Sequence, residues 1–305
     1  MNNLGLAAAT GVVFVGTLYP LFLELWNGAK ITVGAPYFNQ SFLPLFGVLM
    51  FAAGIGPFLS WKRARHRVVL RKVAVGVAVS AGLTFALALG FGLVDPAGLF
   101  GIFIATWLAL ATLMDLGARA GLPKAGPGTA LRRLAGLPRS AWGLYLGHLG
   151  LALAAAGVVA VSVWKDEAIQ TSALGDPVAV GPYAFTLEAV ENTTGPNYQT
   201  SIATVTVTHE GDVVRVLTPE RRFYPVEGQP TTEAGIATLW HGDIYAVLGD
   251  PDGRGGFVTR YYYNPGVPWM WLGGALMALA ALISLTDRRL RIGAPTRRFA
   301  AEPAE

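Results

Sequence analysis

The chain has 305 residues, of which 53% are hydrophobic and only 14% charged, well under the share of about a quarter usual for soluble domains. It contains no cysteine, which excludes disulfides, cysteine-ligated metals and cysteine-linked cofactors on this chain. The net charge of +4 comes without a clustered basic face interleaved with aromatic platforms, so nucleic acid is excluded as a partner.

The apolar residues fall in blocks of about 20, the length at which a helix rising ~1.5 Å per residue crosses a bilayer core. In chain order the predicted spans are Leu4–Trp26, Phe42–Trp61, Val73–Val94, Leu99–Leu116, Ala141–Trp164 and Val267–Thr286. No basic n-region precedes the first, and no cleavage site leads into a soluble domain, so it reads as a retained helix. Its abrupt start at Met1-Asn2-Asn3 suits a chain cut from, or split off, a longer polytopic protein. Asp95-Pro96-Ala97-Gly98 reads as a tight turn between the third and fourth spans.

Lys and Arg set the orientation. Lys62, Arg63, Arg65, Arg67, Arg71 and Lys72 lie on one connection. Arg119, Lys124, Arg132, Arg133 and Arg139 follow on the next connection of that side, and Arg288, Arg289, Arg291, Arg297 and Arg298 on the tail. These are sixteen of the 23 basic residues, so both termini are expected in the cytoplasm. The fold class expected is a polytopic α-helical membrane protein of about six transmembrane helices with an inserted small all-β extracytoplasmic domain. Its parts are a membrane domain at 1–164, the β domain at 165–266, and the last helix with a basic tail at 267–305.

The β domain differs in character from the rest. It holds thirteen acidic and six basic residues. Alternation runs through Thr200–Thr208, Val213–Val216 and Gly256–Tyr263, with turns at Glu210-Gly211-Asp212 and Asp250-Pro251-Asp252-Gly253. This period-two pattern predicts a sandwich or barrel. Tyr261-Tyr262-Tyr263 and Pro268-Trp269-Met270-Trp271 read as an aromatic belt where the last helix enters the membrane.

His148, within the fifth span, is the strongest chemical signal, because ionisable side chains inside a span face a cavity or a partner. Its helical face holds Ala141, Leu144, Tyr145, Leu151, Ala152 and Ala155, half of them alanine. An adjacent stripe of Gly143, Gly147, Gly150 and Ala154 permits close helix packing. Two readings stay open on pattern alone: a neutral histidine bonded to a neighbouring helix, or a ligand to a flat cofactor. A bis-imidazole site needs a second histidine at that depth, and the chain has none. His66 is expected in a basic loop, and His209 and His241 as solvated turn residues outside any metal-ligand spacing. Asp115 and Glu24 read as interfacial.

Several stretches, taken in order, carry more than any single motif. They are Gly16-Thr17-Leu18-Tyr19-Pro20, Ile31-Thr32-Val33-Gly34-Ala35-Pro36-Tyr37-Phe38-Asn39, Leu43-Pro44-Leu45, Gly54-Ile55-Gly56-Pro57 and Trp61-Lys62-Arg63. Gly147-His148-Leu149-Gly150 follows, then Glu220-Arg221-Arg222-Phe223-Tyr224 and Thr232-Glu233-Ala234-Gly235-Ile236. Asp243-Ile244-Tyr245-Ala246-Val247-Leu248-Gly249, Arg260-Tyr261-Tyr262 and Asp287-Arg288-Arg289 complete the set. Together they resemble the C-terminal half of CcmF, the haem lyase component of cytochrome c maturation, over nearly the whole chain.

That resemblance implies attachment of haem to the Cys-x-x-Cys-His motif of apocytochrome c at the outer face of a bacterial-type inner membrane. It implies haem received from the chaperone CcmE, and apocytochrome presented by thiol-reducing proteins. It also implies a membrane haem b held between two helical histidines, of which His148 resembles the second. The tryptophan-rich outer segment, its flanking histidines and the first helical histidine are missing here. The resemblance therefore implies either a naturally split protein, with a tryptophan-rich partner carrying the N-terminal half, or a piece truncated from a longer chain, and in both cases a catalytic set incomplete on this chain. The alternatives are a non-catalytic membrane scaffold, or a haem or solute transporter. Transport fits less well, since only His148 is a buried ionisable group at depth.

Overall fold

The computed structural model describes residues 2–59 and 66–287. The Trp61 end of the second predicted span, Lys62, Arg63, Arg65 and the tail from Arg288 onward lie outside the described residues. The chain divides into two compact units, one running through Leu153 and resuming at Gly273, the other Ala154–Leu272.

The helices are α1 (Asn2–Asn27), α2 (Ala35–Ile55), α3 (His66–Phe91), α4 (Pro96–Ala120), α5 (Pro127–Ala135), α6 (Arg139–Trp164) and α7 (Val267–Leu285). All but α5 are long and apolar enough to cross a membrane. Two helices start seven residues before the expected positions. Pro36 opens α2 in its first turn, where a missing N–H costs nothing. α3 begins at His66, so this histidine is helical and not in a loop. The expected turn at Asp95–Gly98 is the start of α4: the Asp95 carboxylate accepts a hydrogen bond from the Gly98 N–H at 2.6 Å, with Pro96 behind it. Such a cap satisfies one of the orphan donors of a first turn. Gly121, at φ 88°, ends the helix in the left-handed region, where glycine carries no Cβ penalty.

α5 was not expected, because nine residues with only four apolar side chains besides the proline (Ala130, Leu131, Leu134 and Ala135) are too few for a span. Pro127 starts it, and Arg132 and Arg133 sit in its last turn, where cations oppose the helix dipole favourably. The Arg133 guanidinium donates to the Ala120 carbonyl at 3.4 Å, tying α5 to the end of α4.

Trp107 of α4 centres the helical packing and is fully buried. Its indole N–H donates to the Phe51 carbonyl at 2.9 Å, and its ring stacks on Phe51 at 5.2 Å. Gly54 of α2 and Gly76 of α3 face the indole so closely that a methyl group on either would collide with it. This is the physical content of the Gly54-Ile55-Gly56-Pro57 motif: the glycine makes room for a tryptophan.

The second unit holds a sandwich of two antiparallel sheets. One contains β1 (Asp166–Ser172), β10 (Phe257–Pro265), β9 (Gly242–Pro251) and β8 (Gly235–Leu239), in that order. The other runs β2 (Pro177–Val180), β3 (Tyr183–Thr194), β4 (Gln199–His209), β6 (Glu220–Tyr224) and β7 (Gln229–Glu233), with β5 (Asp212–Leu217) also on β4. Ala203, Val205 and Val207 of β4 point inward with Phe185 and Leu187 of β3. They meet Ile244, Ala246, Leu248 and Tyr261 of the other sheet, and Phe185 stacks on Tyr261 at 4.9 Å. The expected aromatic belt thus fails at Tyr261, whose ring is core and not interface: β10 alternates, so Tyr261 turns in, Tyr263 packs partly buried against the same core, and Tyr262 turns out.

Candidate functional site

α6 is fixed at its start, along one side and against two neighbours, and His148 lies nine residues in, ~14 Å along the axis. At the start, the Asp287 carboxylate accepts from the Ser140 N–H at 3.0 Å, and Arg139 donates to the Thr286 carbonyl at 3.3 Å. A carboxylate there satisfies an orphan amide and meets the positive end of the helix dipole.

The glycine stripe does what its spacing predicts. A methyl group at Gly143 would lie 2.9 Å from the Ala280 carbonyl oxygen, and one at Gly150 2.7 Å from that of Gly273. Both oxygens belong to the backbone of α7, so the two helices approach as closely as glycine allows. At Gly147 the same methyl would sit 3.7 Å from the Ala280 Cβ, an ordinary contact.

One turn before His148, Tyr145 is buried at 1% exposure. Its hydroxyl donates to Asp115 Oδ2 of α4 at 2.6 Å, and Arg119 Nε donates to the same oxygen at 2.9 Å. The Arg119 guanidinium stands 5.9 Å from the Tyr145 ring centroid. Asp115 is packed inside the helical unit: it is 7% exposed and satisfied by two donors, as a buried charge must be. Glu24, by contrast, is exposed and loosely paired with Lys30 at 3.7 Å.

His148 is half-buried, and its Nδ1 is buried with no hydrogen-bond partner among the described residues. Of the residues flanking it, Ala152 is buried, and Ala141, Leu151 and Ala155 are partly so. The neighbouring-helix reading of His148 therefore lacks its hydrogen bond. The imidazole stands on a face that is half alanine, and a neutral ring offers the lone pair of one nitrogen. Nearby ionisable groups are committed to each other in the Asp115 cluster. Among the described residues, no group of three or more His, Cys, Asp or Glu is arranged to hold a metal ion.

The histidines of the sandwich are better anchored than expected. His241 lies between two tyrosines, its Nε2 3.3 Å from the Tyr183 hydroxyl and its Nδ1 3.0 Å from that of Tyr263. Burial holds both phenols above their usual pKa. His209 ends β4, and its Nδ1 donates to the Pro182 carbonyl at 2.8 Å. Its ring packs on Tyr183 at 5.5 Å. Sequence separation hid this cluster, since its members come from three strands and one turn.

Residues 163–265 match the family model described as the CcmF C-terminal β-sandwich. Over 97% of its length the chain is 40% identical to the cytochrome c-type biogenesis protein CycK of Bradyrhizobium diazoefficiens, covering 45% of that protein. It is 37% identical to the cytochrome c-type biogenesis protein CcmF of Pseudomonas aeruginosa, covering 97% of this chain and 44% of that one. A solved structure named cytochrome c heme lyase CcmF shares the fold at a TM-score of 0.64 and 23% identity, over 93% of this chain and 44% of that one. The chain therefore spans less than half the length of the relatives it matches.

Proposed function

We propose, from the premise that this chain belongs to the CcmF family of cytochrome c-type biogenesis proteins, that it is part of a cytochrome c haem lyase. As the family and its apolar helices require, it is an integral membrane protein. In this reading it helps transfer haem from the chaperone CcmE to the Cys-x-x-Cys-His motif of apocytochrome c. The N-terminal half of the family, on the same polypeptide or on a partner chain, supplies the tryptophan-rich segment. The chain sits in a bacterial-type inner membrane with both termini in the cytoplasm and the sandwich on the outer side, an orientation supported by the basic connections.

His148 is the residue that would hold a haem b through its imidazole, together with a second ligand from outside this chain. The observation that carries this is a span-embedded imidazole with an unpartnered, buried Nδ1 beside small residues. When bound, such a haem supplies one-electron chemistry whose potential depends on its axial ligands. The protein's part is orientation. Gly143 and Gly150 set α6 against α7, and Tyr145 anchors α6 to α4 through Asp115. Together they fix where the ring of His148 stands.

The test is His148→Ala in the assembled complex. Alanine keeps the helix, so assembly persists while one axial bond is lost. The expected result is loss of the low-spin six-coordinate visible spectrum and a sharp fall in cytochrome c maturation, with partial recovery of the spectrum in imidazole. An assembled variant with an unchanged spectrum and normal maturation would leave His148 a packing residue and the chain a scaffold.

A further inference from the structure

The outward face of β9 and β10 forms the floor of a groove of about 780 Å³. Register fixes what lies on that floor. Ile244, Ala246 and Leu248 turn into the core, so Tyr245 and Val247 turn out, opposite Tyr262 and Arg260 on β10, and Gly249 and Val258 line the groove where a bulge shifts the register. One wall is β7, through Pro230, Thr231 and Thr232, held by the ion pair between Arg221 of β6 and Asp250 of β9. Lys165 closes one end, 4.9 Å above the Tyr262 ring, and Tyr245 packs edge-on against Tyr262 at 5.4 Å.

The charge in this groove opposes that of its surroundings. Residues 165–266 hold thirteen acidic and six basic side chains, yet the groove is lined by three of the six basic ones and by Asp250 alone of the acidic ones. Two of the cations are already engaged: Arg221 with Asp250, and Lys165 with Glu167 at 2.6 Å. Arg260, in the middle of the floor, has neither a side-chain hydrogen bond nor an ion pair among the described residues. A guanidinium without a partner, lining a groove on the same strand face as Tyr262, is suited to take a carboxylate. From Tyr245 to Asp250 the floor runs five residue steps, ~17 Å at ~3.4 Å each, the length of an extended peptide of about five residues.

We propose that this groove docks an extended acidic segment of a partner protein, with a carboxylate on Arg260 and an apolar or aromatic side chain against Tyr245 and Tyr262. The site is independent of His148 and of any haem held there. The domain's overall negative field is screened beyond ~10 Å at 0.1 M salt, so contact charge at Arg260 decides binding once the segment is seated. A basic segment is favoured by the domain as a whole and rejected by this groove.

The test uses the full chain in nanodiscs and a fluorescein-labelled peptide of sequence Gly-Glu-Phe-Glu-Gly-Glu-Gly, read by anisotropy. Saturable binding is expected, weakened at least tenfold by Arg260→Glu and largely kept by Arg260→Lys. The peptide with lysine in place of each glutamate should not bind. Arg260 is exposed and unpaired, so neither variant threatens the fold, and circular dichroism checks this. Absence of saturable binding, binding indifferent to Arg260→Glu, or equal binding of the lysine peptide each overturns the proposal. Displacement by glutarate at concentrations equal to the peptide overturns the peptide occupant in favour of a small dicarboxylate.

Discussion

Tyr145 and Asp115 show how one shared oxygen organises a helix pair. Both donors, the Tyr145 hydroxyl and Arg119 Nε, converge on Asp115 Oδ2. Inter-helix hydrogen bonds of membrane proteins are worth about 0.6 kcal/mol on average and up to ~1.7. Tyr145→Phe is therefore expected to lower stability by about that much, because Arg119 still neutralises the carboxylate. Asp115→Ala should cost more, since it strands a buried hydroxyl and a guanidinium together. Thermal unfolding in detergent, followed by a fluorescent reporter, ranks the two; equal stability of both variants with the parent would mean the cluster is incidental. A second residue-scale prediction concerns Glu220. Its carboxyl sits below the usual range, chiefly because Arg222 Nε donates to it at 2.8 Å. A depressed folded-state pKa stabilises above the unfolded-state value, and that stability is lost as pH falls through the folded-state value. Glu220→Gln should therefore flatten the acid limb of the unfolding curve and leave the neutral region close to unchanged. An acid limb identical to that of the parent would assign the pH dependence elsewhere.

At the scale of elements, the α6–α7 pair sets two magnitudes against each other. Gly→Ala gains up to ~1 kcal/mol of helix propensity. Overpacking a tight contact costs about 1–3 kcal/mol. At Gly150 the new methyl meets backbone at 2.7 Å, which cannot give way as a side chain can, so the cost wins and Gly150→Ala destabilises. At Gly147 the nearest atom is 3.7 Å away, so Gly147→Ala is neutral or stabilising. Melting temperatures of the two variants should fall on opposite sides of the parent or, at the least, separate clearly. The reverse order would refute the packing shown for α7.

The molecule as a whole was legible where the hydrophobic pattern has a long period. Six spans and an alternating domain follow from lengths and periods alone, because burial in lipid and in a sheet each impose a fixed spacing. Boundaries were less legible: in His66–Lys72 charged residues flank Val68, Val69 and Leu70, so the stretch is helical without reading as part of a span. α5 escaped for a different reason, being too short for a span. Of the site, His148 and the glycine stripe stood out because they break or repeat a pattern. Asp115 did not, since its partners Tyr145 and Arg119 declare themselves only when α4 meets α6. The choice of sandwich over barrel also needed the strand order. The expected topology is tested by single cysteines in whole cells. Gly126→Cys suits one face, as nothing crowds that position. Gly253 holds φ 74°, a strained place for cysteine, so Arg254→Cys serves for the other. Labelling of both from outside would contradict the arrangement.

The sandwich begins on β1 and ends on β10, and these strands lie side by side, with Asp166 paired to Tyr263. Neighbouring strands are about 4.7–4.9 Å apart, so the polypeptide departs and returns through what is nearly a single doorway. A domain with such a doorway is a cassette: it can be lifted out and replaced by a homologous one at Asp166 and Pro265 without stretching the chain on either side. Swapping in the sandwich of the Bradyrhizobium relative should therefore yield a chimera that accumulates in membranes like the parent, while exchanging whatever partner preference the sandwich carries.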